Sequence, residues 1–272
     1  MIDPLFWEDR KVFITGHTGF KGGWLSLWLK YLNAEVTGYA LPPKSKSFFH
    51  QVCVENELDN NIFSDIRDLD KLKNSIQISQ PSVVIHLAAQ PLVIDSYLDP
   101  VDTYSTNVMG TVNIFEAVRG VESVKAILNV TSDKCYENKE NLEGYIETDP
   151  MGGYDPYSSS KGCSELITAS YQRSFFNQLD VASATARAGN VIGGGDWSEN
   201  RIIPDAIKSF TKNKSLIVRH PNSIRPWQHV LEPLTGYLML CQQLINKPDL
   251  YKGPWNFGPN KNDAKPVSML VE

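Results

Sequence analysis

No stretch of the chain reaches eighteen consecutive apolar residues, which excludes a conventional membrane-spanning helix. The opening MIDPLFWEDRK holds acidic residues and no apolar core of signal-peptide length, so export is not expected. Cys53, Cys135, Cys163 and Cys241 show no paired spacing, which leaves neither a zinc signature nor a disulfide framework. Unpaired thiols fit a reducing cytosol, and the four read as packing residues. Positive charge is not in excess. The net charge of -5 argues against a nucleic-acid-binding protein. Internal repeats and low-complexity segments are absent as well, so the chain is neither a solenoid nor a disordered linker.

What remains is 272 residues with 42% hydrophobic content, enough for one large domain with an appended lobe. Short apolar runs at 11–16, 35–40, 61–64, 82–88, 124–131 and 181–187 read as strands. Helical patterns near 21–32, 68–78, 100–119 and 156–176 lie among them. Strands that are apolar throughout and separated by helices imply an α/β fold. The expectation is a Rossmann-type doubly wound parallel sheet with a smaller C-terminal substrate-binding lobe, and ligands at the carboxyl ends of the strands. Glycine and proline density rises after about residue 190 (GNVIGGGDW, RHPNSIRPW, KGPWNFGPNKND). A dinucleotide-binding domain over 1–190 and an interleaved lobe over 191–272 are therefore expected. The final KPVSMLVE reads as an amphipathic helix beginning at a Ser268 cap, with further C-terminal chain expected beyond it.

Directly after the first strand, TGHTGFKGG sets Gly16, Gly19 and Gly22 in a G-x-x-G-x-x-G spacing at the start of a helix. A side chain there would block the backbone from a pyrophosphate, while the helix N-terminus offers amide donors and a favourable dipole. An ordinary strand–helix turn is the plain alternative. The stretch Gly16, His17, Thr18, Gly19, Phe20, Lys21 and Gly22 is the expected cofactor cradle. In it, the His17 imidazole is expected to crowd the cofactor's path and weaken its binding. Lys21 either reaches a phosphate or is simply solvated. The second strand, EVTGYALPPKSK, lacks the acid that usually holds the adenosine ribose, and Lys44 and Lys46 leave NADP open beside NAD. Asp65 and Ile66, in FSDIRD, are placed to meet the adenine edge.

YDPYSSSKGCSE sets Tyr157 and Lys161 four residues apart on one face of a helix start. A phenol titrates near 10, so it serves as a base only where a nearby cation favours phenolate. Alone this spacing usually marks a surface helix. A second signal is LNVTSDKCY, in which a strand ends in Ser132, Asp133 and Lys134, a polar trio without a core-packing rationale. The fold would bring a hydroxyl, an acid, a phenol and an amine together at the sheet's carboxyl edge.

With these motifs the chain resembles the extended short-chain dehydrogenase/reductase family, and within it the nucleotide-sugar 4,6-dehydratases. The resemblance runs essentially end to end through TGHTGFKG, SDIRD, HLAAQ, STNVMGT, TSDK, YxxxK, RAGNVIGGGDW and RPWQHV. Ser-Asp-Lys in place of Thr-Asp-Glu is similar to the members that act on CDP-glucose, and CDP as the nucleotide rests on that likeness alone. The resemblance implies NAD as cofactor, with Leu87, Ala88, Ala89 and Gln90 beside it and Asn107 bracing the site's backbone. It implies that Tyr157 takes the proton of the sugar 4-hydroxyl, that Ser132 binds the same oxygen, and that Asp133 acts as general acid as water leaves C6. Asp133 would then need a raised pKa. Lys134 stands where relatives place the C5 base, as base or as electrostatic partner of the enolate. Asn190 and Arg225 are implied ligands of the substrate diphosphate, with Arg201 and Lys208 as weaker candidates.

His229 and Trp227 read as structural, and His86 as a core histidine. A nucleotide-sugar 4-epimerase would share Tyr157, Lys161 and the hydroxyl but would not need Asp133, and a non-catalytic dinucleotide sensor would need neither Tyr157 nor Lys161. The partners expected are a nucleotide sugar and a second copy of the chain, as a homodimer or dimer of dimers through helices 100–119 and 156–176. Nucleic acid, membrane and metal are not expected.

Overall fold

In a computed structural model, the alternating strands and helices form one parallel sheet covered on both faces. The structure describes residues 1–139 and 144–270. The strands are β1 (Lys11–Thr15), β2 (Glu35–Ala40), β3 (Asn60–Phe63), β4 (Val83–His86), β5 (Ala126–Val130), β6 (Ala182–Ala188), β7 (Val191–Ile192), β8 (Ile224–Pro226), β9 (Gln228–His229), β10 (Gly253–Phe257) and β11 (Ala264–Pro266). The helices are α1 (Pro4–Trp7), α2 (Phe20–Tyr31), α3 (Phe48–Gln51), α4 (Leu69–Ser79), α5 (Val93–Leu98), α6 (Pro100–Tyr104), α7 (Gly110–Val118), α8 (Pro156–Tyr171), α9 (Ile202–Phe210), α10 (Leu231–Asn246) and α11 (Pro248–Tyr251).

The main sheet runs in the order β10-β6-β5-β4-β1-β2-β3, with every pair parallel. Its order reverses between β1 and β4, the crevice where a doubly wound sheet receives its ligand. The first six strands agree with the apolar runs to within two residues. β10 was not anticipated, because its glycine and proline read as loop. It pairs with β6 from Gly253↔Ala184 to Phe257↔Ala188, so residues from the glycine-rich C-terminal third return to the main sheet.

β4, β5 and β6 are buried along their whole length, which requires cover on both faces. On one face Leu25 and Leu29 of α2 meet Leu234, Leu238 and Leu244 of α10 over Ile14, Leu128 and Ala184. On the other, Leu72 and Ile76 of α4 meet Ile114 and Phe115 of α7 over Phe13, Val84 and Ile127. Burying each such aliphatic side chain stabilises the fold by roughly 1.5–3 kcal/mol.

The expected helix over 100–119 is one rod in three pieces. Asp99 caps it through the Asp102 amide at 2.9 Å, Pro100 occupies its first turn, and a π turn at Ser105–Met109 separates α6 from α7. Helix α8 begins in the same way, with Asp155 accepting from the Ser158 amide at 2.9 Å and Pro156 next. In place of the helix expected from Ser268, Val267–Leu270 form a 3₁₀ turn whose Ser268 amide donates to Pro221. Val271 and Glu272 lie outside the described residues. Among the described residues, no helix is long and apolar enough to cross a membrane.

Candidate active site

Three glycines shape the turn from β1 into α2, each differently. Gly16 adopts φ +78°, and a Cβ there would sit 2.7 Å from the Ala88 nitrogen, so only glycine lets β4's exit lie against the turn. A Cβ on Gly22 would come within 2.2 Å of the Gly16 carbonyl, so Gly22 packs the helix onto its own loop. Gly19 is exposed, and a Cβ on it would come no nearer than 3.3 Å to Gly16. It caps α2 with no side-chain hydrogen bond, which leaves the helix's first amides open to a ligand. Thr18 is tied to the Leu41 carbonyl at 3.0 Å, and Phe20 packs on the main core.

The His17 imidazole does not stand in the mouth of this turn. It is fully buried against β2, where Gly38 lacks the Cβ that would lie 2.5 Å from the ring. Its Nε2 meets Asn61 Oδ1 at 2.7 Å, and the rings of Phe49 and Phe63 flank it. Burial holds its pKa below the usual histidine range. The crowding expected of this side chain is thereby corrected: the aromatic pocket and the Asn61 acceptor draw the ring beneath the loop. Lys21 is also not simply solvated. Its ammonium lies 6.0 Å from the Tyr237 ring, with pKa pushed down to about 8 by burial and by the Arg201 charge, against Asp133.

Beyond β2, Asp65 binds Arg67 through both carboxylate oxygens, at 2.6 Å for the shortest contact, and Arg67 continues to Asp102 at 2.7 Å. The Asp65 carboxylate is therefore committed to a neighbour, while Ile66 is buried beside Gly110. Lys44 and Lys46 are exposed. Past β4, the amides of Leu87 and Ala88 donate to Thr15 Oγ1, and half-buried Ala89 follows. Asn107, in the π turn, accepts the Gln90 amide at 2.8 Å and donates to the Gln90 carbonyl and to Ser160 of α8. One buried amide thus joins β4's exit to the helix that carries Tyr157.

The exit of β5 bears Ser132, which caps a 3₁₀ turn over Asp133–Cys135. The Ser132 hydroxyl donates to Asp133 Oδ1 at 3.1 Å, and the Lys134 ammonium lies 3.8 Å from that same oxygen. A Cβ at position 189 would lie 2.8 Å from the other Asp133 oxygen, so Gly189 leaves room for the carboxylate. Tyr157 and Lys161 sit on the buried face of α8, and Lys161 Nζ donates to the Val130 carbonyl at 3.3 Å. Burial pushes the phenol up to about 12, with the Ser132 hydroxyl and the Arg201 charge pulling it back and the Asp133 charge adding to it. Burial likewise pushes the Lys161 ammonium down to about 8, opposed by Glu165. Ser132, Asp133, Tyr157 and Lys161 thus come together where β5 exits against α8, and such an arrangement can move protons at a bound hydroxyl.

The four residues expected at the substrate are spread more widely. Arg201 pairs with Asp196 at 2.8 Å and is electrostatically coupled to Tyr157 and Lys21. Arg225 is exposed on β8, one residue from the Pro226 ring that packs beside Gly189. The Asn190 carbonyl accepts the Gln228 amide at 3.2 Å, and the Lys208 ammonium is turned to the Trp197 carbonyl at 3.2 Å. Trp227 donates to Lys265, His229 accepts from Leu231, and buried His86 bonds Thr15 at 2.7 Å. Sequence reasoning passed over Tyr237, whose buried hydroxyl has no hydrogen-bond partner among the described residues and which feels the charges of Tyr157 and Asp133. It also passed over Glu165. A tyrosine in an amphipathic helix carries no signal, but a glutamate among serines on the buried face of α8 is a signal of charge pairing.

The family model for the NAD dependent epimerase/dehydratase family matches residues 12–252. A CDP-glucose 4,6-dehydratase of Salmonella typhimurium is 53% identical over 277 aligned positions, covering all of this chain and 77% of that protein. A dTDP-D-glucose 4,6-dehydratase of Dictyostelium discoideum is 28% identical, over 79% of this chain and 51% of its own. Among solved structures, DesIV, the dTDP-glucose 4,6-dehydratase of Streptomyces venezuelae with NAD and TYD bound, superposes with a TM-score of 0.77 at 20% identity. That match covers 90% of this chain and 74% of DesIV, and it establishes the shared fold.

The position of His17 has a measurable consequence. His17→Ala should empty the pocket between Phe49 and Phe63 and lower stability by on the order of 2–4 kcal/mol in urea unfolding of the cofactor-free protein. An unchanged unfolding midpoint would show that the imidazole does not pack there.

Proposed function

Because the chain belongs to the NAD dependent epimerase/dehydratase family, we propose that it converts CDP-glucose to CDP-4-keto-6-deoxyglucose by oxidation at C4, loss of water across C5 and C6, and return of hydride to C6. Asp133 carries this reading over that of a 4-epimerase, since it sets a carboxyl group beside Ser132 and Lys134 at the exit of β5. The 53% identity to the Salmonella enzyme along the whole chain supports CDP-glucose as the substrate.

NAD⁺ held in the glycine turn would accept the hydride from C4 and, so reduced, return it to C6. The turn suits such a group: Gly19 has no Cβ, and α2 begins without a side-chain cap. Gly16 to Gly22, Leu87 to Gln90 and the Asp65–Ile66 segment would hold the dinucleotide, with Asn107 setting the backbone around it. Tyr157 removes the proton of the 4-hydroxyl, and Ser132 holds the same oxygen. Lys161 lowers the cost of the phenolate by its charge, one helical turn away. Once C4 is a ketone, the C5 proton is acidic. Lys134 stands beside it as base or as electrostatic partner of the enolate, and Asp133 delivers a proton to the departing C6 oxygen. Arg225 and Asn190 would take the diphosphate, with Arg201 and Lys208 on the adjoining segment.

The setting inferred is the cytoplasm, and the assembly a homodimer or dimer of dimers. α8 packs beside the α6–α7 rod, and Val101, Met109 and Leu166 expose apolar side chains there. Sedimentation velocity should give at least twice the chain mass of 30.5 kDa, and a monomer would overturn the assembly.

The activity is tested by incubating the protein with NAD⁺ and CDP-glucose and following the alkaline ultraviolet absorbance of the 4-keto product. Tyr157→Phe should lower turnover by on the order of 10² or more with cofactor binding nearly intact, and near-normal turnover would remove Tyr157 as the base. Asp133→Asn should still oxidise C4, seen as accumulating reduced-cofactor absorbance, while dehydration stalls. Product formed at the normal rate by that variant would show that Asp133 is not the acid.

A further inference from the structure

Behind the exit of β5 lies a buried ion pair that none of the steps above uses. Glu165 and Arg187 face each other at 2.8 Å with side chains only 5% and 3% exposed. Burying two charges is unfavourable unless every polar atom is well placed, so such a pair is weak evidence for stability in itself. Its hydrogen bonds show what it holds. One Glu165 oxygen accepts the Thr131 hydroxyl in a short bond, and the other accepts Thr185 Oγ1 at 2.6 Å. Arg187 Nη1 donates to the Tyr136 hydroxyl at 2.7 Å and to the Glu147 carbonyl at 3.1 Å. The Tyr136 hydroxyl in turn donates to Asn256 Oδ1 on β10 at 2.6 Å. Thr131 immediately precedes Ser132, and Tyr136 immediately follows Cys135. The turn bearing Ser132, Asp133 and Lys134 is therefore fastened at each end to one member of the pair.

Glu165 is also four residues beyond Lys161, on the same buried face of α8. The groups that act electrostatically on the Lys161 ammonium are Glu165 from its own helix, Cys135 from the turn, His86 from β4 and Lys21 from α2, with Arg187 behind Glu165 and Tyr157 one turn back on the helix. Burial pushes the Cys135 thiol up to about 12 and His86 down to about 3, so both are neutral at working pH. Among these described residues, only Glu165 brings a full negative charge.

We propose that Glu165 is a positioning residue for C4 oxidation: paired with Arg187 it clamps the Ser132–Asp133–Lys134 turn at both ends, and it is the countercharge that keeps the Lys161 ammonium protonated beside Tyr157. The proposal rests on Tyr157 and Lys161 being the oxidising pair. Removing the Glu165 charge lowers the affinity of Lys161 for its proton. The ammonium is then lost at lower pH, and the phenolate it supports becomes harder to form.

Two measurements test this on the NAD⁺-bound protein. The first is the pH dependence of kcat/KM for CDP-glucose. Glu165→Gln should lower kcat about tenfold and move the basic limb toward acid by about one unit, the scale expected for loss of a nearby charge, with KM within about twofold of wild type. Tyr136→Phe removes a clamp hydroxyl without changing charge and should lower kcat with the limb in place. Glu165→Asp should restore the limb. The second needs no substrate: the NMR titration of the Lys161 ammonium, assigned as the difference from Lys161→Met. Its midpoint should fall in Glu165→Gln. If Glu165→Gln does not fold, Glu165→Gln with Arg187→Met removes both charges together and should shift the midpoint in the same direction. A midpoint that does not move overturns the proposal whatever the turnover. A moved midpoint without turnover of CDP-glucose by the wild type leaves the proposal standing and overturns the assigned substrate.

Discussion

The site depends on one contact, the packing of α8 against the exit of β5. Lys161 reaches the Val130 carbonyl there at 3.3 Å, and Glu165 takes the Thr131 hydroxyl one turn on. Four residues of helix thus span the last two positions before Ser132. The phenol of Tyr157, one turn back along the same face, is thereby set beside the polar turn that follows the strand. Asn107 reaches Ser160 from the opposite side and joins β4's exit to the same helix. Chemistry at the carboxyl edge follows from this registry, because the strands end where the helix begins.

Burial shapes the electrostatics more than any single charge. It raises the Tyr157 phenol and lowers the Lys161 and Lys21 ammonium groups, in each case by penalising the charged form. A phenol near 12 and an ammonium near 8 are poorly matched to proton transfer at neutral pH. Further positive charge beside the phenol favours phenolate, and an oxidised nicotinamide would provide it. The resting site is thus arranged to be weakly basic until the cofactor is in place.

Much of the fold was legible because its signals are local. A short apolar run bounded by turn residues reads as a strand buried on both faces, and β1, β2, β4, β5 and β6 announce themselves in this way. Asp99-Pro100 and Asp155-Pro156 mark helix starts by capping chemistry that needs no tertiary partner. β10 was missed for the converse reason. Its sequence GPWNF carries turn residues, and only its hydrogen bonds to β6 make it a strand. The orientation of His17 was missed in the same manner: its ring looked available in sequence, and it is committed to Asn61 and two aromatic rings brought in by other elements.

By itself the sequence determined the first six strands and the helices among them, the glycine turn, and the short-range groups Tyr157–Lys161 and Ser132–Asp133–Lys134, because backbone period and i to i+4 spacing are properties of neighbouring residues. Which way each side chain faces was decided by tertiary structure alone. His17 turns under β2 because Gly38 leaves space there, Lys21 turns toward Tyr237 and Asp133, and Glu165 finds Arg187 across a strand twenty-two residues away. Those choices depend on the space and charge presented by distant segments, and no local pattern encodes a distance that only folding creates.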